Sequence, residues 1–169
     1  MVLNIHSDAS YLSETRARSR VAGQFLLSRK SDPTKPILLN GALYIMCRIL
    51  KFVVASAAEA ELGALFLNCK EGRIMRITLQ EMGHPQPATP IHCDNMKATG
   101  IANDIINKKR SRSTEMSFLV TDQVKSGVMD IHWHPGQENL ADYTSKHYDS
   151  KHHQVVRPWY IQEENYLCY

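Results

Sequence analysis

The chain has 169 residues, 43% of them hydrophobic, which suffices for one well-buried core and is short for two. With 20 Lys and Arg against 17 Asp and Glu, the balance is only slightly basic, so charge allows a polyanionic partner without demanding one. No apolar run reaches the roughly 18 residues of a membrane span, and the first residues lack the basic-then-apolar layout of a signal peptide, so a soluble protein with no membrane partner is expected.

Residues 2–9 alternate Leu3, Ile5 and Ser7 against Asn4, His6 and Asp8, the period-two pattern of a half-buried strand. Strand-like runs follow at 21–29 and 42–50, with turn signals at Ser31-Asp32-Pro33 and Asn40-Gly41 between them. Three strands in succession with short links predict an antiparallel meander. The period then changes: Ala58, Leu62, Leu65, Phe66 and Cys69 recur at helical spacing, and Gly72 is placed to end that helix in a left-handed cap. Met75, Leu79 and Met82 repeat the pattern up to Gly83. The proline-rich stretch 84–90 cannot be helical and reads as a connector into a short strand, 91–93.

A helix is predicted from Asp94 to about Asn107, and another, carrying Met116, Leu119, Val120 and Val124, closes at Gly127. Residues 128–133 alternate again, with Met129, Ile131 and Trp133 on one face and Asp130, His132 and His134 on the other. After Pro135-Gly136 a last helix carries Leu140, Tyr143 and His147. The predicted order is βββ-α-β-α-β-α. It gives one domain over 1–150 and a loosely packed C-terminal extension over 151–169.

Cys47, Cys69, Cys93 and Cys168 have no C-x-x-C spacing and read as reduced, buried thiols of an intracellular protein. A zinc site of His147, His152 and His153 with Cys93 or Cys168 fits no standard spacing, so a Lys/His-rich exposed tail is the reading taken.

Four acids sit in segments able to converge on one site: Asp8 in Ser7-Asp8-Ala9-Ser10, Glu61 in Glu59-Ala60-Glu61-Leu62, Asp94 in His92-Cys93-Asp94-Asn95, and Asp142 in Leu140-Ala141-Asp142-Tyr143. Clustered carboxylates suit a hard cation such as Mg²⁺, and two such ions close together can clamp the oxygens of a phosphodiester and activate water. Each acid also has a plainer reading. Asp8 could be a strand-end residue facing solvent, Asp94 a helix N-cap, and Asp142 an ordinary acid of a first helical turn. At about 100° per residue, Glu59 and Glu61 fall on opposite edges of the apolar stripe, so helical geometry does not choose between them.

These motifs, extended on the first helix to Ser56-Ala57-Ala58 and Gly63-Ala64-Leu65 and on the last to Thr144-Ser145-Lys146, resemble the ribonuclease H domain that ends the reverse transcriptase of copia-type (Pseudoviridae) retrotransposon polyproteins. The match runs in order over about residues 2–150; each motif alone is weak, and four in order at compatible spacing are specific. The resemblance implies a ribonuclease H-like α/β fold, a five-stranded mixed sheet of an antiparallel meander plus two parallel strands, flanked by helices. It implies hydrolysis of the RNA strand of RNA/DNA hybrids during reverse transcription. Two Mg²⁺ ions, for which Mn²⁺ can substitute, would be held by Asp8, Glu61, Asp94 and Asp142.

Other expectations follow from the same resemblance. The family pattern, an acid directly before an apolar residue, selects Glu61 over Glu59. His134 stands where ribonucleases H carry a loop histidine for proton transfer or product release, although a polar strand-end histidine fits the position equally. Ser10 and Asn95 are candidates for contact with the hybrid, and the basic run Lys108, Lys109, Arg110 and Arg112 for contact with its phosphates. No paired-aspartate polymerase motif occurs. The expected setting is therefore a domain cut from a longer polyprotein, or a reading frame truncated upstream, with the reverse transcriptase domain as partner, in a cytoplasmic virus-like particle or the nucleus. The competing readings are an integrase or junction resolvase of the same fold, and a decayed or domesticated relic that binds nucleic acid without cutting it.

Overall fold

The computed structural model describes residues 1–28, 41–106 and 114–160. Five strands, β1 (Val2–Glu14), β2 (Arg18–Ser28), β3 (Tyr44–Ile49), β4 (Thr89–Cys93) and β5 (Met129–Trp133), form one sheet in the order β3-β2-β1-β4-β5. β1 pairs antiparallel with β2 and β2 with β3, whereas β1–β4 and β4–β5 are parallel. The expected meander plus two parallel strands is thus what forms. A parallel neighbour requires a crossover, and α1 (Ala57–Glu81) carries the chain from β3 to β4. Among the described residues four shorter helices follow: α2 (Met96–Ala102), α3 (Thr114–Lys125), α4 (Asp142–Ser145) and α5 (Ser150–Tyr160).

The core lies between α1 and one face of the sheet. Leu3 and Ile5 of β1, Phe25 of β2, Met46 of β3, Ile91 of β4 and Met129 and Ile131 of β5 meet Leu62, Leu65 and Cys69 of α1. β1 is buried on both faces, not half-buried as its alternation predicts: Asn4 and His6 are each 4% exposed and Asp8 1%. The polar face is covered by the chain before α4, where Leu140 N–H donates to His6 Nδ1 and Asn139 Nδ2 donates to the Ser7 carbonyl.

Gly72 does not end a helix. α1 continues through it, because the glycine lets the helix lie close on β1: a Cβ at Gly72 would stand 2.6 Å from Ile5 Cδ1. Gly72→Val should therefore overpack the core and cost about 1–3 kcal/mol, read as a lower denaturant midpoint with an unchanged slope; an unaltered midpoint would mean that the helix has room to move. The true end is at Gly83, whose φ of 84° is the left-handed conformation.

Further boundaries move for local reasons. The helix expected from Asp94 starts at Met96, because Asn95 is its cap, its Oδ1 accepting from Ala98 N–H at 3.0 Å. The last predicted helix is two helices, with Lys146 extended between them. Asp149 Oδ1 accepts from His152 N–H and opens α5. The expected loose tail is helical through Tyr160, with Val156 buried and Tyr160 Oη donating to the Leu140 carbonyl at 2.7 Å. Of the cysteines, Cys69 and Cys93 are buried as expected, but Cys47 on the edge strand β3 is exposed. Cys168 lies outside the described residues, as do residues 108–112 and the turn at 31–33.

Candidate metal centre

Parallel pairing of β1 and β4 puts Ser7 beside Cys93, so the next residue on each strand, Asp8 and Asp94, emerge together. The first turns of α1 bring Glu61 against them: its Oε1 accepts from Ala9 N–H at 3.1 Å, and its Oε2 lies 3.8 Å from Cys93 Sγ. Asp142 arrives at the start of α4. Ligand atoms of Asp8, Asp94 and Asp142 lie within 4.8 Å of one another, and so do those of Glu61, Cys93 and Asp94. Asp94 is common to both groups.

The carboxylates are held from several sides. Ser145 Oγ donates to Asp8 Oδ2, Lys146 Nζ pairs with Asp142 Oδ1, and Tyr148 Oη donates to Asp142 Oδ2. Trp133 Nε1 donates to the Asp94 carbonyl at 2.9 Å. Gly136 brings the next loop so near that a Cβ there would be 2.8 Å from Asp94 Oδ2. Burial pushes the Glu61 carboxyl well above its usual range, with the charges of Asp8 and Asp94 adding to it. Asp94 is pushed up by burial and then by Asp8.

Crowded, poorly hydrated carboxylates of this kind are stabilised by a multivalent cation, and an oxygen donor set selects a hard one such as Mg²⁺ or Mn²⁺. Burial and then Glu61 push the Cys93 thiol strongly up, and the oxygen atoms of the four acids outnumber its single sulfur at the site. The residues present therefore fit a divalent cation, which Asp8, Glu61, Asp94 and Asp142 could hold.

The ambiguity between the two glutamates on α1 disappears in three dimensions. Ser56 Oγ accepts from Glu59 N–H at 3.2 Å while Glu59 Oε2 accepts from Ala55 N–H at 2.8 Å, a reciprocal cap on the helix start. Glu59 thus caps α1, and Glu61 alone of the pair joins the carboxylates.

The remaining candidates are placed differently. His134 Nε2 lies 3.2 Å from Glu138 Oε2, and its ring packs 5.1 Å from His92 and 6.0 Å from His6. It belongs to a band of imidazoles in which His6, His92 and His132 occupy one register across β1, β4 and β5. Asn95 is committed to capping α2, and Ser10 sits on β1 opposite Arg20, its carbonyl accepting from Ser13 Oγ. The histidines considered for zinc do not meet Cys93: His152 stacks on Tyr148, His153 bonds the Tyr143 hydroxyl, and His147 lies 3.8 Å from Glu14. Three participants, Ser145, Lys146 and Tyr148, escape a search for acids. Lys146 was legible from its i,i+4 relation to Asp142.

No protein-family model matches the chain, and no curated protein matches it. Solved structures do. LC11-RNase H1 in complex with an RNA/DNA hybrid aligns at a TM-score of 0.59 and 10% identity over 84% of this chain and 92% of that one. The fold is that of ribonuclease H. RNase H1 from Halobacterium salinarum aligns at a TM-score of 0.54 and 12% identity over 86% of this chain and 95% of its own. A foamy viral protease–reverse transcriptase in complex with double-stranded DNA aligns at 0.50 and 16% identity, covering 85% of this chain and 90% of that one. At such identities the likeness of this ribonuclease H-like chain to them is one of fold.

Proposed function

We propose that this chain is a divalent-metal-dependent ribonuclease H that hydrolyses the RNA strand of RNA/DNA hybrids. The observation that carries the reading is the convergence of Asp8, Glu61, Asp94 and Asp142 from β1, α1, β4 and α4. That one solved structure of this fold was determined with an RNA/DNA hybrid supports the choice of substrate. Divalent cations bound among these carboxylates supply Lewis-acid activation of water and stabilisation of the leaving 3′ oxygen. The chain's part is positional: Ala9 N–H fixes Glu61, Ser145 fixes Asp8, and Lys146 and Tyr148 fix Asp142.

The finer reading places the chain in the reverse transcriptase of a copia-type retrotransposon, beside its polymerase domain and inside the cell, in a virus-like particle or the nucleus. The order and wording of the four sequence motifs support it. The basic run Lys108, Lys109, Arg110 and Arg112 then grips the phosphates of the hybrid, Ser10 and Asn95 lie toward its minor groove, and His134 assists proton transfer or product exit.

The decisive assay offers the chain an RNA/DNA hybrid, duplex DNA and a branched DNA junction, with Mg²⁺, with Mn²⁺ and with chelator. Cleavage of the hybrid alone, dependent on divalent cation, is expected. Cutting of the DNA substrates would indicate an integrase or resolvase, and binding without cutting would indicate a relic. Within the assay Glu61→Gln should abolish cleavage. Glu59→Gln should keep most of it and cost little stability, because a glutamine there can still accept from Ala55 N–H. The reverse pattern would move the site to Glu59.

A further inference from the structure

Beside Asp142, α5 and the chain before α4 line a half-open hollow of about 310 Å³. Its walls are aromatic: Tyr143, Tyr148, His152 and Tyr160, with Leu140 and Val156 beneath them. The rings are arranged against one another. Tyr148 stacks on His152 with centroids 3.8 Å apart and planes 18° apart, and Tyr143 lies 4.8 Å from Tyr160.

Each tyrosine hydroxyl is already engaged. Tyr143 Oη bonds His153 Nδ1 at 2.5 Å, Tyr148 Oη donates to Asp142, and Tyr160 Oη donates to the Leu140 carbonyl. These bonds hold the rings in place, so a flat ligand would meet a platform that needs no ordering on binding.

The surrounding charge narrows the ligand. Asp142 at the edge of the hollow disfavours a phosphate inside it. Lys151 and Arg157, both exposed, stand on α5, which contains no acidic residue from Ser150 to Tyr160. A planar group inside with a polyanionic backbone along the helix satisfies both features. Aromatic platforms beside cationic side chains are how proteins hold single strands, because every base has a π-face. A base within a duplex shows only its edge, so the face needed for stacking belongs to an unpaired one.

We propose that this hollow is a stacking site for one unpaired nucleobase of a strand that continues past the hybrid. The proposal rests on the nuclease reading for the course of the strand, and its test is separable from that reading.

A short single-stranded DNA carrying 2-aminopurine is mixed with the full chain, and fluorescence and affinity are read together. Such DNA is not a substrate of the proposed activity. Quenching by the tyrosine and histidine rings is expected. Val155→Glu, which places a charge at the mouth where Val155 is 69% exposed, should weaken binding by roughly 5- to 150-fold, the range of one base–aromatic stack. His152→Ala, which removes one wall, should act in the same direction. Val155→Glu should leave both the thermal melt and the cleavage of a blunt hybrid unchanged.

Three results would overturn the site: no quenching by the wild-type chain, both variants quenching and binding as the wild type does, or adenosine monophosphate competing as well as the strand at equal concentration. Failure of hybrid cleavage with quenching intact would sink the nuclease reading and leave the base site standing.

Discussion

Asp94→Asn should lower hybrid cleavage by on the order of 10²–10³-fold or more, the scale of losing one preorganised electrostatic group, while the chain stays folded. Asp94 is the residue common to both groups of ligand atoms, so its charge serves every cation position the site can offer. Asp8→Asn should act similarly, since Asp8 faces Asp94 from the adjacent strand. Calorimetric titration with Mg²⁺ or Mn²⁺ should show weaker uptake by both variants. Without divalent cations, Asp94→Asn should melt no lower than the wild type, because burial and the charge of Asp8 already disfavour the ionised Asp94. Wild-type cleavage by both variants would refute the metal centre, and a collapsed melt would show these acids to be structural.

Chelated protein should lose stability on moving away from mildly acid pH in both directions, for two different reasons. Glu61 has a folded pKa raised well above 4.5, so between those values the folded chain holds a proton that the unfolded chain has released. Stability from this group is greatest at or below 4.5 and falls as pH rises through the window. The imidazoles act in the opposite sense. Burial, helped by neighbouring histidines, lowers His6 from 6.5 to about 3 and His92 from 6.5 to about 4. As pH falls below 6.5 the unfolded chain takes up protons that these two do not, and the slope for a group such as His6 is about 1.4 kcal/mol per pH unit.

Glu61→Gln should therefore raise the melting temperature more at pH near 8 than near 4.5, by about 2–4 °C for each kcal/mol relieved. His92→Gln should flatten the acid limb, since His92 Nδ1 is buried with no hydrogen-bond partner among the described residues. Denaturant titrations across the pH range measure both effects. Profiles parallel to the wild type in both variants would contradict the assignment of these windows.

The meander, the crossover helix and the two parallel strands were legible because Leu3, Ile5, Ile91 and Ile131 repeat with the period of a strand and Leu62, Leu65 and Cys69 with that of a helix. The burial of the second face of β1 was not. His6 and Asp8 look like solvent residues until Leu140 and Ser145, far along the chain, bond to them. Gly72 carries the signature of a helix end, and only the approach of Ile5 shows that it is a contact point.

At the site, three acids on strand ends or helix starts could be picked by segment type, but Glu59 and Glu61 could not be separated by angle. The separation needed the partners Ser56 and Ala55 for one and Ala9 for the other. Tyr148 has no one-dimensional mark, because Asp142 becomes its neighbour only through the turn after α4, and Ser145, though inside the last-helix motif, gives no sign in the sequence of its bond to Asp8.

Closing β1 from opposite ends of the sequence imposes an order of assembly. The hairpins joining β1, β2 and β3 are local and can form early, whereas Ile5 must wait for Ile91 and Asp8 for Ser145, separated by 137 positions. At about 5–20 residues per second of synthesis, several seconds pass in which a nascent chain owns Asp8 and Glu61 but neither Asp94 nor Asp142. Throughout that interval β1 offers a bare edge to any other strand, a hazard that ends when β4 docks. Until α4 has emerged, the four carboxylates of the proposed site cannot stand together.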